Sequence, residues 1–290
     1  MAGIIDLIGN TPMVEITKLN PNPNVKIFAK LEGNNPGGSV KDRASLNMIR
    51  SAIERGEIKE GTKLVEATSG NTGIALSMIA SLFNLDIELV MPSNSTRERT
   101  LTMEAFGAKV TLLENIEVCR DYAEEKGATE GYYLLNQFAN ADNYMAHYKT
   151  TGPELWRDTE GRITHFVSSM GTTGTIMGCS KYLKEKNRDI QIVGCQPTEG
   201  SSIPGIRRWP EAYLPKIFDP SRVDRVIDIA ETDATLMARQ LAKVEGVFAG
   251  MSTGGACTAA LKLAQELEKG IIVFIACDRG DRYLSSELFG

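Results

Sequence analysis

The strongest constraint on how this chain can fold is a repeated order: a short apolar run, a polar loop bearing glycine, then a longer run with helical spacing. Thr62–Ala67 reads as a strand, Thr68-Ser69-Gly70-Asn71-Thr72-Gly73 as a loop, and Ile74–Phe83 as a nearly all-apolar helix. Ile87–Met91 is then a strand stopped by Pro92, Thr96–Phe106 a helix ended by Gly107, and Lys109–Leu113 a strand. Glu117–Lys126 adds a helix and Tyr132–Leu135 a strand. Strand and helix alternating at this spacing means parallel strands joined by helical crossovers. The order restarts with strand Phe166–Ser169, loop Met170–Thr175, helix Ile176–Lys186 and strand Ile190–Cys195. It continues with strand Val223–Ile229, helix Asp233–Glu245, then Val247–Met251, Ser252–Gly255 and Ala256–Leu267 as strand, loop and helix, and a last strand at Ile271–Ala276. Short strands at Val14–Ile16 and Lys26–Leu31 open the chain. The expected fold is α/β, two doubly wound three-layer halves, with ligands in the cleft at the carboxyl ends of the strands.

Length and composition admit this and exclude much else. At 290 residues the chain can fill two such units, and 42% apolar with 24% charged residues is an ordinary globular mixture. A net charge of −5 lacks the basic footprint of a nucleic-acid binder. No apolar run is long enough to span a bilayer, and Met1–Asp6 has no basic region ahead of an apolar core, so no membrane segment or signal peptide is expected. Five cysteines, at 119, 179, 195, 257 and 277, are scattered without a CxxC pair, which predicts a reducing cytoplasm and no metal site. The two histidines are His147 and His165, and His165 sits in the apolar run Ile163–Val167 as a structural residue.

Chemistry centres first on Gly33-Asn34-Asn35-Pro36-Gly37-Gly38-Ser39-Val40-Lys41-Asp42-Arg43. Most lysines are solvated surface groups; this one follows a turn and opens a helix. Ser39 reads as the N-cap, with Asp42 three residues on completing a capping box. Val40, Ala44, Met48 and Ala52, flanked by Ile49 and Ile53, form the buried stripe. Lys41 thus falls at the positive end of the helix dipole, which favours the neutral amine that a Schiff base needs. A P-loop is rejected: Gly33 and Gly38 have its spacing, but Ser39 stands where its lysine belongs.

Further loops precede helices. Gly171-Thr172-Thr173-Gly174-Thr175 combines close backbone approach with hydroxyl donors, a phosphate cradle with no lysine or arginine. Thr68-Ser69-Gly70-Asn71-Thr72 has the same design and suits a second anion such as a carboxylate. Ser252-Thr253-Gly254-Gly255 offers hydroxyls that meet a cofactor or cap the next helix. The segment 197–222 is long, proline- and arginine-bearing and aperiodic, and loops of that length in a compact domain are usually functional.

Taken together, Asn35 to Arg43, Glu66-Ala67-Thr68-Ser69-Gly70-Asn71-Thr72-Gly73 and the loop 171–175 resemble the pyridoxal-phosphate enzymes of fold type II, which are tryptophan synthase β-like. Within them the chain is similar to the cysteine synthase/cystathionine β-synthase family. Glu199–Trp209 and the ending Cys277-Asp278-Arg279-Gly280-Asp281-Arg282-Tyr283-Leu284-Ser285 resemble the B branch of the cysteine synthases (O-acetylserine sulfhydrylases).

The resemblance implies pyridoxal 5′-phosphate in the cleft between a smaller mobile domain, 36–145, and a larger one, 1–35 plus 146–290. It implies Lys41 as the catalytic residue that carries the cofactor, Asn71 at the pyridine 3-oxygen, Gly171, Thr172, Thr173, Gly174 and Thr175 on the 5′-phosphate, and Ser252 at the pyridine nitrogen. Thr68, Ser69, Asn71, Thr72 and Gln137 would bind the substrate carboxylate. Where the A branch has a Pro-Ser element, this chain has Cys277 and Asp278, which puts Cys277 beside the pyridine nitrogen as a second group. Arg207 and Arg208 would hold the anionic end of thiosulfate. The implied reaction is β-replacement on O-acetylserine by sulfide, with thiosulfate as a second sulfur donor, in a cytoplasmic homodimer. A complex with serine acetyltransferase is not expected for the B branch. Other readings of the same motifs are a serine or threonine dehydratase, a cystathionine β-synthase-like enzyme, or a non-catalytic partner of serine acetyltransferase.

Overall fold

A computed structural model describes residues 3–68 and 70–290. It contains two sheets. The first has six strands: β1 (Met13–Glu15), β2 (Val25–Leu31), β7 (His165–Ser169), β8 (Gln191–Pro197), β9 (Arg225–Ile229) and β10 (Gly270–Ala276), in the order β1-β2-β10-β7-β8-β9. Only β1 runs antiparallel to its neighbour. The second has β3 (Lys63–Ala67), β4 (Asp86–Pro92), β5 (Lys109–Leu113) and β6 (Tyr132–Leu134), all parallel, in the order β5-β4-β3-β6.

Each sheet is covered on both faces, and the two-residue period of a strand shows it. Along β10, Ile272, Phe274 and Ala276 enter one core while Val273 and Ile275 enter another. In β3, Leu64 points into one cluster and Val65 and Ala67 into a second. The helices that cover these faces are α1 (Lys41–Glu54), α2 (Asn71–Leu82), α3 (Arg97–Ala105), α4 (Ile116–Gly127), α5 (Ala141–Lys149), α6 (Thr151–Asp158), α7 (Gly174–Lys186), α8 (Glu231–Gln240) and α9 (Met251–Glu266). Among the described residues no helix is long and apolar enough to cross a membrane.

The alternation read from the sequence is the one observed, with two departures. First, 247–251 is not a strand and Ser252–Gly255 is not a loop: both Ser252 and the glycines lie inside α9. Gly254 is there for contact, since a Cβ would collide with the carbonyl of Ala234 and approach the Ala238 N–H at 2.8 Å. The glycines that look like a turn let α9 settle on α8. Second, α5 is missing from the sequence reading. Its buried face is Asn143, Ala146 and His147, which is not the apolar stripe that announces a helix. The segment 197–222 is irregular apart from short turns at Glu211–Tyr213 and Pro220–Arg222.

Candidate active site

Lys41 is the first residue of α1, as its position after the glycine turn suggested, but the cap differs from the expected box. Val40 is the N-cap; the Ser39 hydroxyl accepts from the Lys41 N–H at 3.2 Å, and the Asp42 carboxylate turns back to the Gly37 N–H. The Asp42 carboxylate is taken up by the Gly37 N–H, and the Asp42 N–H donates to the Ser39 carbonyl at 3.3 Å. The apolar stripe is as expected, with Val40, Ala44, Met48, Ile49 and Ala52 all buried.

Beneath this turn lies a group of charges that the sequence did not announce. Arg43 grips Glu32 with Nε and Nη2 at 2.7 Å each and Glu154 with Nη1 at 2.6 Å and Nη2 at 2.8 Å. Lys30, fully buried, donates to Glu154 at 2.9 Å, Asp158 at 2.8 Å and the Thr11 carbonyl at 2.7 Å. Asn35 ties Glu32 to the Ser39 carbonyl. The first turn of α1 is thereby fixed from below.

From Lys41 the site can be followed as a ring of hydrogen bonds. The Val40 N–H donates to the Cys277 carbonyl at 2.8 Å, and Ser39 bridges Asp278. Asp278 accepts from Asn71 Nδ2 at 2.7 Å, which joins the start of α2. The next residue, Thr72, donates its Oγ1 proton to Gln137 Oε1 at 2.8 Å. Gln137 is itself held by its Nε2 on the Ala67 carbonyl and by its N–H on buried Glu66. Asn143 Nδ2 donates both to the Gln137 carbonyl at 2.7 Å and to Thr172 Oγ1 at 3.2 Å, reaching the loop before α7. That loop backs on Gly205, whose carbonyl would lie 2.7 Å from a Cβ at Gly171, and Gly205 backs on Ser252. Ser169 donates to the Ser252 carbonyl at 2.7 Å. The Cys277 N–H donates to Oγ1 of Thr253, the neighbour of Ser252, at 3.0 Å, which closes the ring.

The structure thus brings Lys41, Asn71, Thr72, Gln137, 171–175, Ser252 and Cys277 together. Thr68 is buried at the same place, but its hydroxyl accepts from the Gly70 and Gly73 N–H groups and shapes its own loop. Ser69 lies outside the described residues. Arg208 does not point to the ring: its Nη2 pairs with Asp228 at 2.6 Å and its Nε with the Pro197 carbonyl at 2.9 Å. Arg207 is half-buried beside the site, with its N–H on the Met170 carbonyl. Trp209 donates to the Gly171 carbonyl at 2.7 Å, so the aperiodic segment lies against the phosphate-type loop.

Beyond Lys41 and the Asp278 carboxylate, the ring's hydrogen bonds come from neutral donors. Burial pushes the Cys277 thiol up to about 11, with the Lys41 charge pulling the other way. Burial, then the positive charge of Arg43, holds His147 down at about 3; the neutral imidazole reaches Thr175 Oγ1 at 3.3 Å and Thr151 at 2.8 Å. Asn143 had no signal in the sequence, and the motifs gave Glu66 and Asp278 no role of their own, because Asn143 meets Thr172, Glu66 meets Gln137 and Asp278 meets Asn71 only in the fold.

The residues at α7 fit a phosphate. Thr173 is its N-cap at φ 70°, a left-handed position that turns successive N–H groups toward one point. The first-turn N–H groups of α7 have no partner within the helix and supply neutral donors. With a lysine amine at Lys41 and a hydroxyl at Ser252, the donor set matches a phosphorylated pyridine aldehyde.

Such a set on two doubly wound sheets defines a pyridoxal-phosphate-dependent enzyme of fold type II, and the sequence matches the family described as pyridoxal-phosphate dependent enzyme over residues 4–278. Cysteine synthase B of Pseudomonas aeruginosa is 55% identical over 99% of this chain and 97% of its own length. Cysteine synthase B of Escherichia coli is 54% identical over 100% and 97%. The crystal structure of cysteine synthase from Entamoeba histolytica superposes with a TM-score of 0.93 at 38% identity, covering 100% of this chain and 90% of that one. The chain belongs to the cysteine synthase family of pyridoxal-phosphate-dependent enzymes.

Proposed function

We propose that this enzyme converts O-acetyl-L-serine and sulfide to L-cysteine and acetate by β-replacement. What supports the reading is the ring of hydrogen bonds that gathers one lysine, two anion-type loops and a neutral hydroxyl around one cleft. Bound pyridoxal phosphate supplies an electron sink for the bond between the substrate's α-carbon and its hydrogen. Lys41 would hold the cofactor, and its free amine would take the substrate's α-proton as general base and later return it. Thr72 and Gln137, with Thr68 shaping the loop and Ser69 completing the motif, hold the carboxylate. The N–H groups and hydroxyls of 171–175 hold the phosphate. Ser252 at the pyridine nitrogen adds no charge, which suits loss of acetate from the β-carbon over chemistry that needs a strongly stabilised carbanion. Residues 36–145 act as the smaller unit, closing over 1–35 and 146–290 when the carboxylate is held. A substrate analogue should then protect the amides of 70–73 from hydrogen exchange, and unchanged exchange would argue against closure.

The proposal extends to thiosulfate, giving S-sulfocysteine. Arg208 is committed to Asp228, so the charge available for the sulfonate-like end is Arg207.

Lys41→Ala should abolish turnover and the visible cofactor band together while the far-ultraviolet circular dichroism stays unchanged. Near-normal turnover would end the assignment. Serine deamination outrunning sulfide-dependent cysteine formation would place the enzyme with the dehydratases instead.

A further inference from the structure

Asp278 is 2% exposed and touches three separate parts of the chain, the Lys41 turn, the start of α2 and the start of α9. Its Oδ2 accepts from Asn71 Nδ2 at 2.7 Å and from the Tyr283 hydroxyl at 2.6 Å; its Oδ1 accepts from the Gly250 N–H at 3.2 Å. Gly250 caps α9, the helix that carries Ser252, and a Cβ there would come within 2.6 Å of Asp278 Oδ1. The backbone of Asp278 bridges Ser39 in the Lys41 turn. On the other side of Asn71, Arg282 Nη1 donates to Asn71 Oδ1 at 2.6 Å, and its Nη2 donates to the Gly37 carbonyl.

These partners decide which way the Asn71 amide faces. A carboxylate only accepts and a guanidinium only donates. With Nδ2 on Asp278 and Oδ1 on Arg282, both contacts are attractive. Turned over, the amide would set its carbonyl against the carboxylate and its NH2 against the guanidinium. Burial, then the Asp278 charge, holds the Tyr283 phenol protonated, so Tyr283 stays a donor and cannot take the place of Asn71. One hydrogen of Nδ2 is used on Asp278 and the second is left to point away from it.

We propose that Asp278 and Arg282 are positioning residues that lock the Asn71 amide with its remaining N–H turned to the cofactor's 3-oxygen. The inference rests on the reading of Asn71 as the residue at that oxygen. The lock also couples the Lys41 turn, through the Asp278 backbone, to the starts of α2 and α9, through its carboxylate.

The test compares Asn71→Ala, Asp278→Asn, Arg282→Met and the exchanged pair Asn71→Asp with Asp278→Asn, each loaded with pyridoxal phosphate. The readouts are the pH midpoint of the cofactor's visible absorption, the cofactor Kd and the urea midpoint. Asn71→Ala should move the absorption midpoint by roughly one pH unit, the size of one lost hydrogen bond to an ionisable oxygen. Asp278→Asn and Arg282→Met should move it the same way. The exchanged pair restores a donor–acceptor contact between 71 and 278 but leaves no N–H for the cofactor. It should regain most of the urea stability lost in Asp278→Asn and keep the displaced absorption midpoint. If the exchanged pair recovers the midpoint with the stability, Asp278 is merely structural and the proposal falls. It falls equally if Asn71→Ala moves the midpoint while Asp278→Asn and Arg282→Met do not. If Asn71→Ala itself leaves the midpoint in place, the cofactor contact of Asn71 is what has failed, and the lock has nothing to position.

Discussion

Glu32 and Glu66 are buried almost equally, at 0% and 1% exposure, and each sits at the carboxyl end of a strand that leads into the site, Glu32 just past β2 and Glu66 within β3. They are held in opposite ways. Burial alone would push the Glu32 carboxyl up, but the charge and hydrogen bonds of Arg43, with Thr11 and Asn35, carry it below the ordinary value. Glu66 has the N–H groups of Asn136 at 2.7 Å and Gln137 at 3.2 Å and the Gln137 side chain, neutral donors, with Arg120 farther off, and burial pushes it up to about 7. The lesson is that burial does not set the charge state; the pairing does. The Glu32–Arg43 pair beneath the Lys41 turn stays ionised across neutral pH, although burial pushes Asp42, within the turn itself, up to about 7. The loop that presents Gln137 is rooted in a carboxyl that titrates there.

The largest effect should come from breaking the paired root. Glu32→Gln leaves Arg43 with one carboxylate partner instead of two, and removing one member of a buried ion network costs about 3–5 kcal/mol. Urea unfolding of the loaded enzyme checks it. A loss under about 1 kcal/mol would mean that the network does not hold the Lys41 turn.

The same contrast separates what could be read in the sequence from what could not. The strand–helix order and the Lys41 and 171–175 loops were legible because each is local: a period of two, a period of 3.6, a glycine turn before a helix. The two roots were not. Glu32 meets Glu154's partner Arg43 across eleven residues, and Glu154 meets Arg43 across 111. Glu66 meets Gln137 across 71. A polar residue at a strand end looks the same in sequence whether it is exposed or buried with a distant partner. Ser252–Gly255 misled for a related reason, since glycine marks a turn and a close helix contact alike, and only α8 decides between them.

The next effect concerns pH. Glu66 has a folded value of about 7 against an ordinary 4.5. Between these the folded chain binds a proton that the unfolded chain has lost, so this residue makes stability fall as pH rises from 4.5 through 7. His147 acts with the opposite sign. Its folded value of about 3 lies below the ordinary 6.5, so stability is present above 6.5 and is lost as pH falls toward 3. His147 and Asp42 titrate in both proteins when wild type is compared with Glu66→Gln, and their contributions cancel in the difference. The stability of wild type relative to Glu66→Gln should therefore decline between pH 5 and 8, by on the order of 2–3 kcal/mol. A difference that stays flat would show that Glu66 does not titrate in this window.

The smallest effect carries the comparison to the surface. Arg208 is paired: its Nη2 meets Asp228 at 2.6 Å, with the two side chains 40% and 49% exposed. Arg207 is not: its guanidinium has no hydrogen bond or ion pair among the described residues, although its N–H is fixed on the Met170 carbonyl beside the 171–175 loop. A largely exposed pair is worth at most about 1 kcal/mol, so Arg208→Ala should change stability by less than that and leave both sulfur donors within a few-fold. Arg207→Ala should do something different. Sulfide is small and needs no clamp, whereas thiosulfate carries an anionic end that a guanidinium can grip. Losing one charge-assisted contact costs about 1.5–3 kcal/mol, which in kcat/KM for thiosulfate is a loss of roughly 10- to 150-fold. Steady-state rates with the two donors, measured on each single variant, decide the matter. Equal losses for sulfide and thiosulfate in Arg207→Ala would mean that this arginine supports the loop it is anchored to. A thiosulfate-selective loss confined to Arg208→Ala would mean that its partner Asp228 releases it during turnover, and the division between a paired and an unpaired arginine would no longer predict which one binds the donor.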